Sequence, residues 1–144
     1  MTTKEAYVFL NSVRQIEADI VKKQLQHDEL QSCLLPKAIT YDKDKIQTSP
    51  SDMMSETAAL VLDLEKDIRK LYARKAQLIV EINDAISRLD SDTEQMILLG
   101  FYVGRLPASR VADLVHYSLR GVYKAKHRAV IHLAEVCTKC SICV

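Results

Sequence analysis

Residues 61–89 read VLDLEKDIRKLYARKAQLIVEINDAISRL. Apolar side chains return at alternating steps of three and four, at Val61, Leu64, Ile68, Leu71, Leu78, Ile82, Ala85 and Leu89, with Lys75 the one polar interruption. That spacing holds one face of an α-helix over four heptads, and neither Gly nor Pro breaks it. A helix of this length cannot bury its seam alone, so it needs a partner. The partner lies upstream. Phe9, Val13, Ile16, Ile20, Lys23, His27, Leu30 and Leu34 repeat the same spacing until Pro36, which removes a helical donor and disfavours helix in the residue before it.

Between the two runs lies a polar bridge, residues 36–51, PKAITYDKDKIQTSPS, long enough to reverse the chain. The second helix is expected to start after Pro50, with Ser51 as its cap and Asp52 and Glu56 at its positive end. At about 1.5 Å per residue each helix spans roughly 45–55 Å. The expected arrangement is a long antiparallel, coiled-coil-like hairpin over residues 1–89. Lys23, His27 and Lys75 within the seams read as register-setting or snorkelling residues with no chemistry. A second stripe, Tyr72, Ile79 and Ile86, lies off the seam and would stay exposed in a lone hairpin. That stripe predicts a homodimer through the hairpin.

Composition agrees with an all-α chain. Only three glycines and three prolines occur in 144 residues, too few for the tight turns of an all-β protein. No stretch approaches the ~18 apolar residues of a membrane span, and MTTKEAYVFLNS lacks a signal peptide's apolar core. A cytoplasmic protein is expected. The net charge of +1 hides an asymmetry: residues 1–50 balance, residues 51–90 hold six basic and eight acidic groups, and residues 91–144 hold seven basic and four acidic.

The basic end carries the functional reading. After Leu89, one of Asp90, Ser91 or Asp92 can cap a new helix over about 92–103, with Gly104 as its stop. Pro107 opens a short helix over 107–116, and Ser118 can cap a third over about 119–136. Two short helices joined by a tight turn, the second one basic, form the helix-turn-helix that lays its second helix in the DNA major groove. A small residue, Ala112, lets the two helices cross closely, and the β-branched Val122 ten positions later anchors the second. Residues 90–136 therefore read as a three-helix helix-turn-helix domain.

If Val122, Ala129 and Leu133 face inward, then Ser118, Leu119, Arg120, Tyr123, Lys124 and His127 project toward DNA. Arg120 and Lys124 are the candidates for base edges, and Lys126 and Arg128 for phosphates. No acid interrupts Arg120 to His132. A basic helix can equally be a solvated face, and the Ala112, Ser118 and Val122 spacing is what favours DNA.

Cys137, Cys140 and Cys143, with His132 upstream, have the spacing of metal ligands. One contiguous run at a chain end ties no two elements together, so the expectation for residues 137–144 is a frayed, reduced tail without metal. No cofactor is expected. No phosphate-binding loop or nucleophile motif occurs, and the four histidines are scattered, so an enzyme is not expected.

The hairpin, the bridge segment Gln47-Thr48-Ser49-Pro50-Ser51, and the terminal VADLVHYSLRGVYKAKHRAV together resemble small phage-encoded transcriptional regulators of the ArpU/RinA type. The most specific C-terminal pieces are Tyr117-Ser118, Val122-Tyr123 and His127-Arg128-Ala129. This part also resembles region 4 of sigma factors. The resemblance implies a helical DNA-binding regulator that contacts double-stranded DNA and RNA polymerase. The alternative is a coiled-coil interaction protein that binds polymerase or a sigma factor without a DNA site. Two positions depart from the pattern. His116 stands where the turn usually has glycine, which predicts a wider turn. Gly121 lies inside the second helix at a cost of about 1 kcal/mol, where it would permit close backbone approach to DNA.

Overall fold

A computed structural model of the protein describes residues 1–34 and 50–139, and every regular element in them is helical. Helix α1 spans Thr3–Leu34 and α2 spans Pro50–Ser87. Helix α3, Asp92–Leu98, runs without a break into a π-helical turn over Leu99–Val103. Helix α4 spans Ala108–Val115, and α5 spans Leu119–Lys139. Among the described residues no helix is long and apolar enough to cross a membrane. Helix α2 begins at Pro50 itself, where a missing N–H costs nothing because the first helical donors have no partner. Ser51 is thus inside the helix and not its cap. The rest of the bridge, residues 36–49, lies outside the described residues.

The chain divides into two compact units that cut across both long helices. One is Ile16–Arg74, and the other joins Met1–Gln15 to Lys75–Val144. This division differs from the expected bounds of 1–89, 90–136 and 137–144, because the seam residues nearest the chain's start and nearest Leu89 belong with the C-terminal helices.

In the unit Ile16–Arg74, α1 and α2 meet through Lys23 Nζ and Asp67 Oδ2 at 3.6 Å and through His27 Nε2 and Glu65 Oε1 at 3.1 Å. The partner's number falls as the first one rises, so these segments run in opposite senses. Ile20, Val61 and Ile68 are buried on the expected seams. His27 is buried too, and its Nδ1 lies 3.2 Å from Asp28 Oδ1. A neutral imidazole can donate from only one nitrogen, whereas both here face a carboxylate. The hydrogen bonds to Glu65 and then Asp28 raise the His27 pKa above its ordinary value of 6.5, against the opposing effect of burial.

The other unit holds a larger core. Ala6, Leu10 and Val13 from α1 are buried, with Leu78, Ile82, Ala85, Ile86 and Leu89 from the end of α2 and the link after it. Helix α5 contributes Val122, Ala125, Ala129, Val130, Leu133, Ala134 and Cys137. Two expectations change here. Ile86 is only 1% exposed and Ile79 is half-buried, which leaves Tyr72 as the exposed member of the stripe that predicted a dimer. Cys137 belongs to α5 and its core-facing side, so the helix does not end at 136 and Cys137 is not part of a frayed tail. Cys140 and Cys143 lie outside the described residues, and among the described residues no three metal-ligating side chains gather.

Ser91 caps α3, its Oγ accepting the Glu94 N–H at 3.4 Å. The expected single helix over 92–103 changes pitch at Leu99. Gly104 N–H reaches back five residues to Leu99 O at 2.7 Å, and Leu106 N–H bonds Gly100 O at 2.8 Å. Gly104 keeps right-handed geometry at the end of the turn, and the left-handed residue is Arg105 with φ 52°. The wider π turn gathers two carbonyls for the reversal, so the chain turns one residue later than the glycine. Gly100 is where α4 comes close: a Cβ there would lie 3.0 Å from Val111 Cγ2.

Candidate nucleic-acid interface

Helices α4 and α5 pack against each other and both pack on α3. Ala112 and Val122, the pair singled out by spacing, are buried in one cluster with Ile97, Val111 and Ala125, and Phe101, Leu106 and Val115 pack around it. The small Ala112 methyl admits the neighbouring helix, and the stiff, branched Val122 fills the space behind it.

The turn between them is tight. His116 adopts the left-handed conformation, φ 59° and ψ 39°, as the cap of α4. Tyr117 N–H bonds Ala112 O at 3.0 Å, closing the helix end in the manner of a glycine cap. The wider turn expected from a histidine at this position is therefore not formed. Ser118 then caps α5: its Oγ accepts the Gly121 N–H at 3.1 Å, and its carbonyl accepts the Val122 N–H at 2.9 Å. Since that oxygen is engaged in the cap, Ser118 serves the helix start. Gly121 has a local reason to be glycine, because a Cβ there would sit 3.1 Å from the capping Ser118 Oγ.

With Val122, Ala125, Ala129 and Leu133 buried, the opposite side of α5 is open. Leu119, Arg120, Tyr123, Lys124, His127 and Arg128 line one open depression of about 900 Å³. Arg120, Lys124 and Arg128 follow each other at single-turn spacing, and Leu119, Tyr123 and His127 form the adjacent row. Leu119 and Tyr123 are 52% and 53% exposed, so the cations flank an apolar strip. Tyr123 leans on Phe101, with ring centroids 6.3 Å apart.

Lys126 is placed elsewhere. Its Nζ lies 4.5 Å from the Phe101 ring centroid and 5.3 Å from that of Tyr102, on the side of the π turn. Burial first, and the nearby Arg14 charge second, lower its pKa. Burial likewise pushes the Tyr102 hydroxyl up to about 12. Seven of the eight sequence-selected side chains thus gather at the turn and the open face, six of them around the depression, while Lys126 packs as a cation over aromatic rings.

His127 introduces a residue that the sequence did not single out. Its Nδ1 lies 2.9 Å from Tyr7 Oη, and the two rings meet edge to edge, nearly coplanar at 21° with centroids 6.3 Å apart. Tyr7 is 120 positions away in the chain. His132, considered above beside the cysteines, is engaged by Glu94, with Nδ1 2.7 Å from Oε1.

No protein-family model, no curated protein and no solved structure matches this chain.

Proposed function

We propose that the chain is a non-enzymatic, sequence-specific DNA-binding transcriptional regulator of the phage-encoded ArpU/RinA type, acting in the cytoplasm. In this reading α4 and α5 form a sigma region 4-like helix-turn-helix, carried by an antiparallel hairpin of α1 and α2. One observation carries it: Arg120, Lys124 and Arg128 stand in a row on the exposed side of α5, beside the row of Leu119, Tyr123 and His127, with no acid on the helix before Glu135. Cations at this spacing suit a phosphate backbone, and Arg120 near the helix start would reach a base edge. Leu119 and Tyr123 supply apolar contact of the kind a thymine methyl accepts. The positive end of α5, capped by Ser118, adds to the field. RNA polymerase is the further partner that the sigma-like arrangement suggests.

The test is retention of duplex DNA upstream of the protein's own gene, measured by fluorescence anisotropy as salt is raised. Binding is expected to fall steeply with salt. Arg120→Ala with Lys124→Ala should abolish retention with the fold intact, and Arg128→Ala alone should flatten the slope of log K against log salt by about 0.9, the share of one phosphate contact. A wild-type protein that retains no duplex at low ionic strength refutes the reading.

A second reading, an interaction protein that binds RNA polymerase or a sigma factor without a DNA site, draws on an open groove in the unit Ile16–Arg74. Leu25, Leu30, Leu60 and Leu64 line it, with Leu25 and Leu60 well exposed. That reading predicts that the Arg120 and Lys124 substitutions leave partner binding intact.

A further inference from the structure

The geometry points to Tyr7, in the second turn of α1, as a positioning residue for DNA contact: its hydroxyl holds His127 in one tautomer and turns the Nε2–H outward as a hydrogen-bond donor. This inference rests on the DNA-binding reading and adds to it a residue from the opposite end of the chain.

Tyr7 stands on a stretch of α1 with buried neighbours. Ala6 and Leu10 on the same helix are buried, and Asn11 Nδ2 donates to the Tyr7 carbonyl at 2.9 Å. Its ring lies nearly coplanar with the His127 imidazole, at 21°, and its Oη lies 2.9 Å from Nδ1. A phenol is a good donor and a poor acceptor, whereas the unprotonated nitrogen of a neutral imidazole is a good acceptor. The favoured arrangement therefore has Tyr7 O–H donating to Nδ1, which leaves the ring proton on Nε2. Among the described residues nothing engages Nε2, and His127 lines the open depression beside Lys124 and Arg128. A fixed N–H at that point suits an acceptor that DNA presents everywhere, a phosphate oxygen. Held by this hydrogen bond, the ring loses less rotamer freedom on binding than a swinging histidine. The DNA-contacting face is then not a property of α4 and α5 alone, because α1 sets one of its donors.

The test uses the full chain and two readouts. First, nitrogen-15 spectra of the imidazole at a pH where His127 is neutral are expected to show Nε2 protonated and Nδ1 bare. Tyr7→Phe, which keeps the ring and its packing, should shift the signals toward a mixture. Second, anisotropy with a fluorescent 24-base-pair duplex at low salt should show Tyr7→Phe weakening binding about 3- to 10-fold, the range of one neutral hydrogen bond. His127→Ala should lose at least as much, and the double variant no more than His127→Ala. An unchanged melting curve for Tyr7→Phe separates this effect from unfolding. Wild-type protein that fails to bind the duplex overturns the DNA reading and this inference with it. Duplex binding that Tyr7→Phe leaves unchanged, or a bare Nε2 in the wild type, overturns the inference alone.

Discussion

His116→Gly should stabilise the protein. His116 is exposed and sits in the left-handed region, φ 59° and ψ 39°. No hydrogen bond or ion pair engages its imidazole among the described residues, so replacing it forfeits no contact of that kind. A side chain with a Cβ in this conformation costs about 1–2 kcal/mol, toward the low end for histidine, which tolerates it better than most. Glycine removes that cost but gives the unfolded chain more freedom, an offset of about 0.4–1 kcal/mol. The net gain is at most about 0.6 kcal/mol. For a chain of this length that raises the melting temperature by up to about 2 °C. Thermal melts followed by circular dichroism measure it, with His116→Ala as the control that keeps the Cβ and should gain nothing. Hydrogen exchange of the Tyr117 amide, which bonds Ala112 O at 3.0 Å, reports on the turn itself and should slow in the glycine variant. If His116→Gly melts at or below wild type while the Tyr117 amide exchanges as fast as before, the turn is not limited by backbone strain and the reasoning fails.

Two further outcomes follow from packing and charge. The His27 pKa is raised in the folded state, so its contribution to stability is full below about 6.5 and is lost as pH rises through the raised value. Urea melts at pH 6 and pH 8.5 should show a larger loss for wild type than for His27→Gln, and equal losses would contradict the pairing with Glu65 and Asp28. Gly100→Ala should destabilise through the 3.0 Å contact with Val111 Cγ2, by about 1 kcal/mol after the gain in helix propensity is subtracted. That penalty should vanish in a Val111→Ala background, and a penalty that persists there would place the strain elsewhere.

Much of the candidate interface was legible because α5 obeys one periodicity. Val122, Ala129 and Leu133 mark its inner side, and the same 3.6-residue repeat then places Arg120, Tyr123, Lys124 and His127 outside. Lys126 shows where the repeat stops deciding. It lies at the margin of the two sides, and a long side chain there goes to whichever surface solvates it better. The Phe101 and Tyr102 rings of the π turn took it. Gly104 and Arg105 carry the same lesson, since a glycine marks where a turn is cheap and the hydrogen bonds of the preceding helix decide where it occurs.

By itself, the sequence determined the helices, their seams, the Ser118 cap and the pairing of Ala112 with Val122, and it narrowed the α3 cap to Asp90, Ser91 or Asp92. These depend on neighbours within about a dozen residues, and local spacing records them. Tertiary structure alone decided that Ala6, Leu10 and Val13 belong to the same compact unit as α5, and that Ile86 and Cys137 are buried. It also decided that Tyr7 meets His127 and that His116 bends into a conformation most side chains avoid. Those facts depend on surfaces brought together from distant parts of the chain, where burial of apolar area outweighs a local preference of about 1 kcal/mol. The stripe of Tyr72, Ile79 and Ile86 records the difference: its spacing was visible in the sequence, but what covers Ile86 was not.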